Sequence, residues 1–423
     1  MTTRVQSYPV RPLTRPTGNA YRNSRSSLYL VHTPTLEPMM DEETEEDGES
    51  TDSPLPTTSS SPSPVHPHER EPSSVSVVED LSPCYQLGPS PTGGAGLFAT
   101  RPIPRGTVIF AESPLFTQPL PPHRTNSTIL NTLAQHSREE QCAFFALANA
   151  YKAPLPGHPV LLPALGIFET NALPCGGTLA PSEPSAGEKT AKGGKGGRAS
   201  TDGGSREGIF LQAARLNHSC RPNVARTWDV GAQEMAFRAL RDVAPGEELC
   251  MSYVDVDILG TREERGAEIE GAFGFVCACE ACMLDGREGE ESDRRRLTVR
   301  RLFEEIGTCG KEPTLGLRKV KLVIRLLNEE QLVHYETSFC FDAFQFCVMV
   351  SDFTSAKAWV KKAWEASCNT AGPDSPAART FKMYWANPRA HQLAGMHPRM
   401  MLSGPDDLSG DEVSSRSASR ASL

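Results

Sequence analysis

The sequence predicts an α+β protein, with short strands over 81–285 followed by an all-α region over 294–400. Three observations carry this reading. Short apolar runs bounded by Gly, Pro and polar turn signals recur through the first region, as at Thr107–Glu112 after Pro104-Arg105-Gly106. A tight cysteine group, Cys277-Ala-Cys279-Glu-Ala-Cys282, closes that region. Beyond Thr298 the apolar residues repeat at helical spacing.

The chain has 423 residues, of which 38% are hydrophobic, with 35 Pro and 34 Gly. Ordinary globular chains are roughly 45–50% apolar, so much of this one is not core. Residues 1–80, with the run Pro56–Ser74, lack the apolar surface needed to offset ordering entropy and are expected to be a disordered arm. The tail 404–423 reads the same way. The stretch 175–207 is expected to be a flexible insertion within the first folded region.

A net charge of −9 argues against sequence-specific or general nucleic-acid binding, which needs a large basic surface. A basic protein tail would suit an acidic groove. No window reaches the ~18 consecutive apolar residues of a membrane span, and no secretory signal is apparent. The acidic run Asp41–Glu49 reads as a solvated tail. Up to Glu37 there is no acid, while Arg4, Arg11, Arg15, Arg22 and Arg25 lie among serines as in organelle transit peptides. Pro9, Pro12 and Pro16 would break the required amphipathic helix. Mitochondrial import is therefore the minority reading, and a nuclear and/or cytoplasmic monomer the expectation.

Twelve cysteines without a secretory signal point to reduced thiols and metal binding rather than a disulfide framework. Cys84, Cys142, Cys309, Cys340, Cys347 and Cys368 stand singly and read as small buried hydrophobes. Cys277, Cys279 and Cys282 can converge on one ion. Structural zinc takes four ligands, so a distant residue must complete the set. Cys220, Cys250 and Cys175 are the candidates, and spacing alone does not choose among them.

Upstream, a polar block runs from Arg215 through Asn217-His218-Ser219-Cys220 to Asn223, between the apolar segments Gly208–Leu211 and Glu234–Leu240. After a turn at Pro245-Gly246, Glu248–Tyr253 reads as a short strand delivering a tyrosine at its end. A glycine-rich turn, Thr92-Gly-Gly-Ala-Gly-Leu-Phe98, precedes them all, but the complete phosphate-loop and dinucleotide patterns are absent. Taken singly, His218 reads as a satisfied structural histidine and Tyr253 as a half-buried strand residue.

In this order the segments resemble the SET-domain protein lysine methyltransferases, and among them the SMYD-like branch whose SET region is split by insertions. Residues 81–285 carry the resemblance. They include Gly94, Gly96 and Leu97 of the glycine-rich turn, Thr170-Asn171-Ala172, the Asn-His-Ser-Cys block, the strand ending at Tyr253 and the post-SET cysteines. The resemblance implies small β-sheets around a pseudoknot, in which Asn217–Cys220 lies against the strand leading to Tyr253. It implies S-adenosylmethionine contacts at Gly94, Ala95, Gly96, Asn171, Asn217, His218 and Phe275. It selects Cys220 as the fourth zinc ligand beside Cys277, Cys279 and Cys282, and assigns Tyr253 to the wall of a lysine channel as the catalytic residue. Phe210 would be a further apolar wall.

Two departures stand out. Ala95 replaces a polar residue common in the family's turn. The family's separate MYND zinc finger is expected to be missing, because the only cysteine in residues 114–165 is Cys142 and the only histidines are His123, His136 and His158. That insertion instead reads as a helix from Ser127 to Tyr151, with Ile129, Leu133, Phe144, Phe145 and Leu147 packing inward. Farther on, Val320, Val323, Ile324 and Leu327 form one helical stripe, and Ala356, Trp359, Val360, Ala363 and Trp364 another that ends at Gly372-Pro373. Phe339, Phe341, Phe344 and Phe346 belong to a helix between them. Paired helices resembling tetratricopeptide units are expected.

The function implied is methyl transfer from S-adenosylmethionine to a lysine of a protein substrate, histone or non-histone. The alternative is a degenerate SET protein serving as an interaction scaffold, which Ala95 and the low-complexity insertions permit. A zinc hydrolase does not fit, because an all-thiolate site is closed to water.

Overall fold

The computed structural model describes residues 83–155, 158–175, 206–254 and 257–406. The expectations for 1–80, for nearly all of 175–207 and for 407–423 lie outside the described residues.

Three small sheets occupy the first half. Strands β1 (Tyr85–Pro89) and β2 (Ala95–Ala99) form an antiparallel hairpin, whose turn uses Gly93 and Gly94 at φ of 109° and 74°. Such angles strain any residue with a Cβ. Strand β3 (Val108–Glu112) leads to β4 (Phe116–Pro119). Next come helices α1 (Asn126–Leu133), α2 (Arg138–Phe145) and α3 (Pro163–Asn171), then β5 (Leu173–Cys175) and β6 (Arg206–Ile209). Strands β7 (Asn217–His218), β8 (Val224–Asp229), β9 (Glu234–Ala239) and β10 (Glu248–Met251) complete the set. The sheet orders are β1-β2-β10-β7, β3-β9-β8 and β4-β6-β5.

The first sheet positions the site. Its β7 pairs parallel with β10, Asn217 opposite Cys250 and His218 opposite Met251. Asn223 clamps the crossing: its Oδ1 accepts from the Cys250 N–H at 2.7 Å and its Nδ2 donates to the Glu248 carbonyl at 2.8 Å. The segment from Asn217 onward therefore lies along β10, as the resemblance implied. The strand ends at Met251, two residues before Tyr253, because the Tyr253 N–H turns to a side chain instead of a neighbouring strand.

Leu97, Phe110, Phe237, Leu249 and Met251 form the core between the first two sheets. The continuous helix expected over Ser127–Tyr151 is two helices. Ser137 caps α2, its hydroxyl accepting from the Glu140 N–H while the Glu140 carboxylate accepts from the Ser137 N–H, and this reciprocal cap starts a new helix. Ile129, Leu133, Phe144 and Leu147 are buried with Phe116 and Phe168. Phe145 is 47% exposed, since its position beside Phe144 faces the opposite side of α2.

Helix α4 (Arg262–Phe273) ends at Gly274 in the left-handed conformation, φ 73°. A short α5 (Glu280–Met283) follows. Then come α6 (Gly286–Gly307), α7 (Pro313–Glu329), α8 (Glu336–Met349), α9 (Phe353–Ala371) and α10 (Pro376–Ala386). Helix α6 begins directly after the cysteine segment and runs unbroken through residue 294. Val320, Phe339, Phe344, Trp359 and Phe381 fill one core among these helices. Helix α9 also lies on β8, where Thr227 Oγ1 donates to the Thr370 carbonyl at 3.2 Å.

Candidate active site and metal centre

The ligand atoms of Cys220, Cys277, Cys279 and Cys282 all lie within 4.8 Å of one another, and among the described residues this is the one such metal-ligating group. Cys220 arrives on the loop after β7. The other three arrive on the turn that Gly274 opens and on α5, whose N-cap is Cys279. The Cys220 and Cys282 sulfurs are 3.6 Å apart, against about 3.8 Å for the edge of a tetrahedron with Zn–S near 2.3 Å. The Cys220 N–H also points at the Cys279 sulfur, 3.3 Å away. Hydrogen bonding with Cys277 and Cys279 pushes the Cys220 thiol up, while bonds from Cys220 and Cys277 hold Cys279 down as a thiolate.

A cation completes this set chemically, since it lets all four sulfurs ionise. Buried Arg265 lies 4.0 Å from the Cys282 sulfur. Burial opposes its charge, and the sulfurs of Cys220 and Cys282 outweigh that and hold its pKa above the usual value. Four sulfurs fit a closed, structural zinc site. Cys250 and Cys175 stay outside it, their thiols pushed up by burial to about 12 and about 11.

His218 joins this cluster to the tyrosine. Its Nδ1 accepts from the Tyr253 N–H at 3.0 Å, and its Nε2 lies 3.4 Å from the Cys220 sulfur. The ring is buried, and burial lowers its pKa to about 4, so it is neutral with the proton on Nε2. Both ring nitrogens are thus committed to the protein. The Tyr253 hydroxyl donates to the Leu216 carbonyl at 2.7 Å. Burial raises its pKa well above the ordinary tyrosine value. Phe273 lies 5.0 Å from the Tyr253 ring and Phe275 stands edge-on to it at 6.5 Å, 39% exposed. Phe273 was missed in the sequence because its position reads as an ordinary helix end.

On the other side of β7, Asn217 Nδ2 donates to the Ala95 carbonyl at 3.2 Å and to Glu248 Oε1 at 2.7 Å. Gly96 leaves room for this crossing, since a Cβ there would meet Glu248 Oε1 and lie 2.9 Å from Asn217 Nδ2, so that these side chains would have to shift. Gly94 and Ala95 are exposed, and a Cβ built on Gly94 meets nothing within 4 Å. The turn, Asn217, Tyr253 and Phe275 are thereby linked through successive contacts. Asn171 is placed differently: it ends α3 and donates to the Ala148 and Ile167 carbonyls, each at 2.7 Å. Phe210 is buried in the core against which Tyr253 packs, edge-on to Trp228 at 6.4 Å.

A buried ion network also reaches the site, and nothing in the sequence singled it out. Glu330, after α7, pairs with Arg296 of α6 at 2.9 Å, the side chains being 1% and 0% exposed. Arg296 in turn donates to the Ile258 carbonyl at 2.6 Å and to the Cys220 carbonyl at 3.1 Å.

Residues 94–254 match the SET domain family. The histone-lysine N-methyltransferase set5 of Schizosaccharomyces pombe is 33% identical over 337 residues, which cover 78% of this chain and 91% of that protein. The chain belongs to the SET-domain lysine methyltransferases. The N-lysine methyltransferase SMYD2 of Gallus gallus is 35% identical over 94 residues, 22% of this chain and 20% of that protein. Its human counterpart is 33% identical over 96 residues, 23% of this chain and 20% of that protein. Membership favours the enzyme over the scaffold reading. Within the SET match lie the glycine turn, Asn171, Phe210, Asn217, His218, Cys220 and Tyr253. Phe275 and the cysteine triplet of this SET-domain methyltransferase lie beyond it, and the wider similarity to set5 spans most of the chain.

Proposed function

We propose that the chain methylates lysine side chains of a protein substrate at the site around Tyr253, with S-adenosylmethionine as donor and a structural zinc at Cys220, Cys277, Cys279 and Cys282. The observation that carries the reading is the convergence on Tyr253. Its hydroxyl is anchored at Leu216, its backbone at His218, and its ring faces Phe273 and Phe275.

The residues present fit the cofactor. The half-exposed Phe275 ring offers an aromatic face for an adenine. Gly93 and Gly94 leave open space at the turn, and the Ala95 carbonyl that follows accepts from Asn217, so backbone and amide groups there can meet the polar end of the ligand. When bound, S-adenosylmethionine supplies a methyl group on a sulfonium sulfur.

The acceptor lysine must be neutral to attack, although its free pKa is near 10.4. Tyr253 and Phe273 form an apolar wall that disfavours the ammonium by desolvation, and its proton leaves to water. The Tyr253 hydroxyl, its own proton spent on the Leu216 carbonyl, presents lone pairs that can accept from the amine N–H and align it. Catalysis is then orientation and desolvation. A zinc held by Cys220, Cys277, Cys279 and Cys282 would tie the Phe275 segment to the NHSC loop.

The test is transfer of tritium from methyl-labelled S-adenosylmethionine into purified histones and into fractionated cell extract. Label on lysine is expected. A protein that binds the cofactor but labels no lysine in either preparation overturns the reading.

A further inference from the structure

We infer that Glu248 is a positioning residue that fixes the Asn217 amide, so that Asn217 Oδ1 recognises the α-ammonium of the cofactor's methionine portion. The inference rests on the reading of this face as the cofactor site.

The amide orientation follows from its neighbours. Asn217 Nδ2 lies 2.7 Å from Glu248 Oε1 and 3.2 Å from the Ala95 carbonyl oxygen. A carboxylate and a carbonyl only accept hydrogen bonds, so the amide NH2 must face both of them. With both N–H groups used, the Oδ1 is the polar atom left for a ligand. It accepts only, and so selects a donor such as an ammonium rather than a carboxylate.

Glu248 is itself held. Its second oxygen, Oε2, accepts from Ser90 Oγ at 3.0 Å. Ser90 closes the glycine turn, its N–H donating to the Gly94 carbonyl and its carbonyl accepting from the Gly93 N–H, both at 3.1 Å. Its Oγ also accepts from the Thr92 N–H at 3.2 Å. One carboxylate thus ties the turn to β7, and the missing Cβ of Gly96 is the space it occupies. Among the described residues no cation pairs with Glu248. Its partners are an amide and a hydroxyl, which suits an orienting acceptor and not one half of an ion pair.

This separates orientation from charge. A glutamine at 248 can still accept from Asn217 through Oε1 and donate to Ser90 Oγ through Nε2. Alanine and methionine offer no acceptor, which leaves only the longer bond to the Ala95 carbonyl to orient the Asn217 amide.

The experiment is calorimetric titration of the full chain with S-adenosylhomocysteine, which carries the amino-acid portion, and with 5′-methylthioadenosine, which lacks it. Glu248→Ala is expected to weaken S-adenosylhomocysteine about ten-fold, the scale of a lost hydrogen bond to a charged group, and to leave 5′-methylthioadenosine within about two-fold. Glu248→Gln is expected to restore near-native affinity. Glu248→Met, which keeps the bulk, stands in if the alanine variant does not melt cooperatively. Equal losses for both ligands, no loss for either, or a glutamine variant as weak as alanine each overturn the inference. If the native protein binds neither ligand, the cofactor reading of this face fails first, and the inference with it.

Discussion

His218 accepts from the Tyr253 backbone N–H at 3.0 Å and turns its other ring nitrogen to the Cys220 sulfur 3.4 Å away. One imidazole therefore spans the distance between Tyr253 and the four-cysteine cluster. A histidine beside a metal ligand that also holds a second group sets that ligand's orientation and basicity. Here the same ring sets where the backbone of Tyr253 sits. Loss of metal should accordingly be felt at the tyrosine, and the first expectation concerns the metal.

Cys220→Ser should release zinc, whereas Cys250→Ser should keep it. Cys220 shares the cluster with the three downstream cysteines, while Cys250 lies outside it with a thiol pushed up to about 12 by burial. Elemental analysis of the two purified variants decides this. A strong chelator should also lower the melting temperature of the native chain, because a closed structural site contributes folding energy directly. Equal metal content in both variants would show that the ligand set is misassigned.

Residues 176–205 join two paired strand ends, Cys175 lying opposite Arg206 and Leu173 opposite Gly208 in an antiparallel register. A two-residue Asn-Gly turn can close such a hairpin. Replacing 176–205 by that turn should change the melting temperature by only a few degrees, since loop closure alters stability by about 0.6 kcal/mol per doubling of length. A larger fall on calorimetry would mean that the replaced residues contribute contacts of their own.

Glu330 should matter to stability well beyond an ordinary surface acid. Besides Arg296 it meets Arg295 at 2.7 Å, Ser292 Oγ at 2.7 Å and Arg221 at 3.4 Å. Glu330→Gln leaves the Arg296 charge buried without its partner, which typically costs about 3–5 kcal/mol. Chemical denaturation measures it.

The pH dependence has a definite sign. Burial raises the Glu330 pKa, but Arg296 and the other partners outweigh it and hold the carboxyl below its usual range. Its contribution is therefore full above the unfolded value, about 4.3, and is lost as pH falls through the folded one. The gap between native and variant stability should be level near neutrality and narrow in acid. A gap that persists unchanged well below pH 4 would remove the carboxylate from this role.

What the sequence made legible follows from how local each signal is. Cys277, Cys279 and Cys282 announce a metal because three ligands sit within six residues, and the stripes at Val320–Leu327 and Ala356–Trp364 announce helices because burial there is periodic. Spacing left the fourth ligand open and only the resemblance named Cys220, since it is the crossing of β7 over β10 that brings Cys220 to the triplet. Glu248 was one of two adjacent glutamates where a short strand begins. Glu247, just before β10, pairs with Arg241 and Glu248 bonds to Asn217, a difference visible only once the sheet is assembled. Arg296 lies in a helix rich in charge and Glu330 just beyond another, where a buried pair looks like any exposed one. The break between α1 and α2 was readable, because Ser137 and Glu140 have capping-box spacing. The apolar residues on either side suggested one helix and hid it.

Tyr253→Phe separates catalysis from binding most cleanly. The ring and its contacts with Phe273 and Phe275 remain, and so does the backbone N–H that His218 accepts from. Only the hydroxyl anchored at the Leu216 carbonyl is removed. If its lone pairs align the amine in the transition state, single-turnover methyl transfer should fall by about 10²-fold, the scale of one preorganised electrostatic contact. Zinc content and affinity for S-adenosylhomocysteine should barely move. Because burial holds the tyrosine pKa above its ordinary value of about 10, the hydroxyl stays protonated throughout the working range. The native rate should then show no alkaline decline from tyrosine ionisation up to about pH 10. A phenylalanine variant that methylates at the native rate, or a native rate that collapses at a tyrosine-like pKa below 10, would remove the hydroxyl from the mechanism and leave Tyr253 as a packing residue of the channel wall.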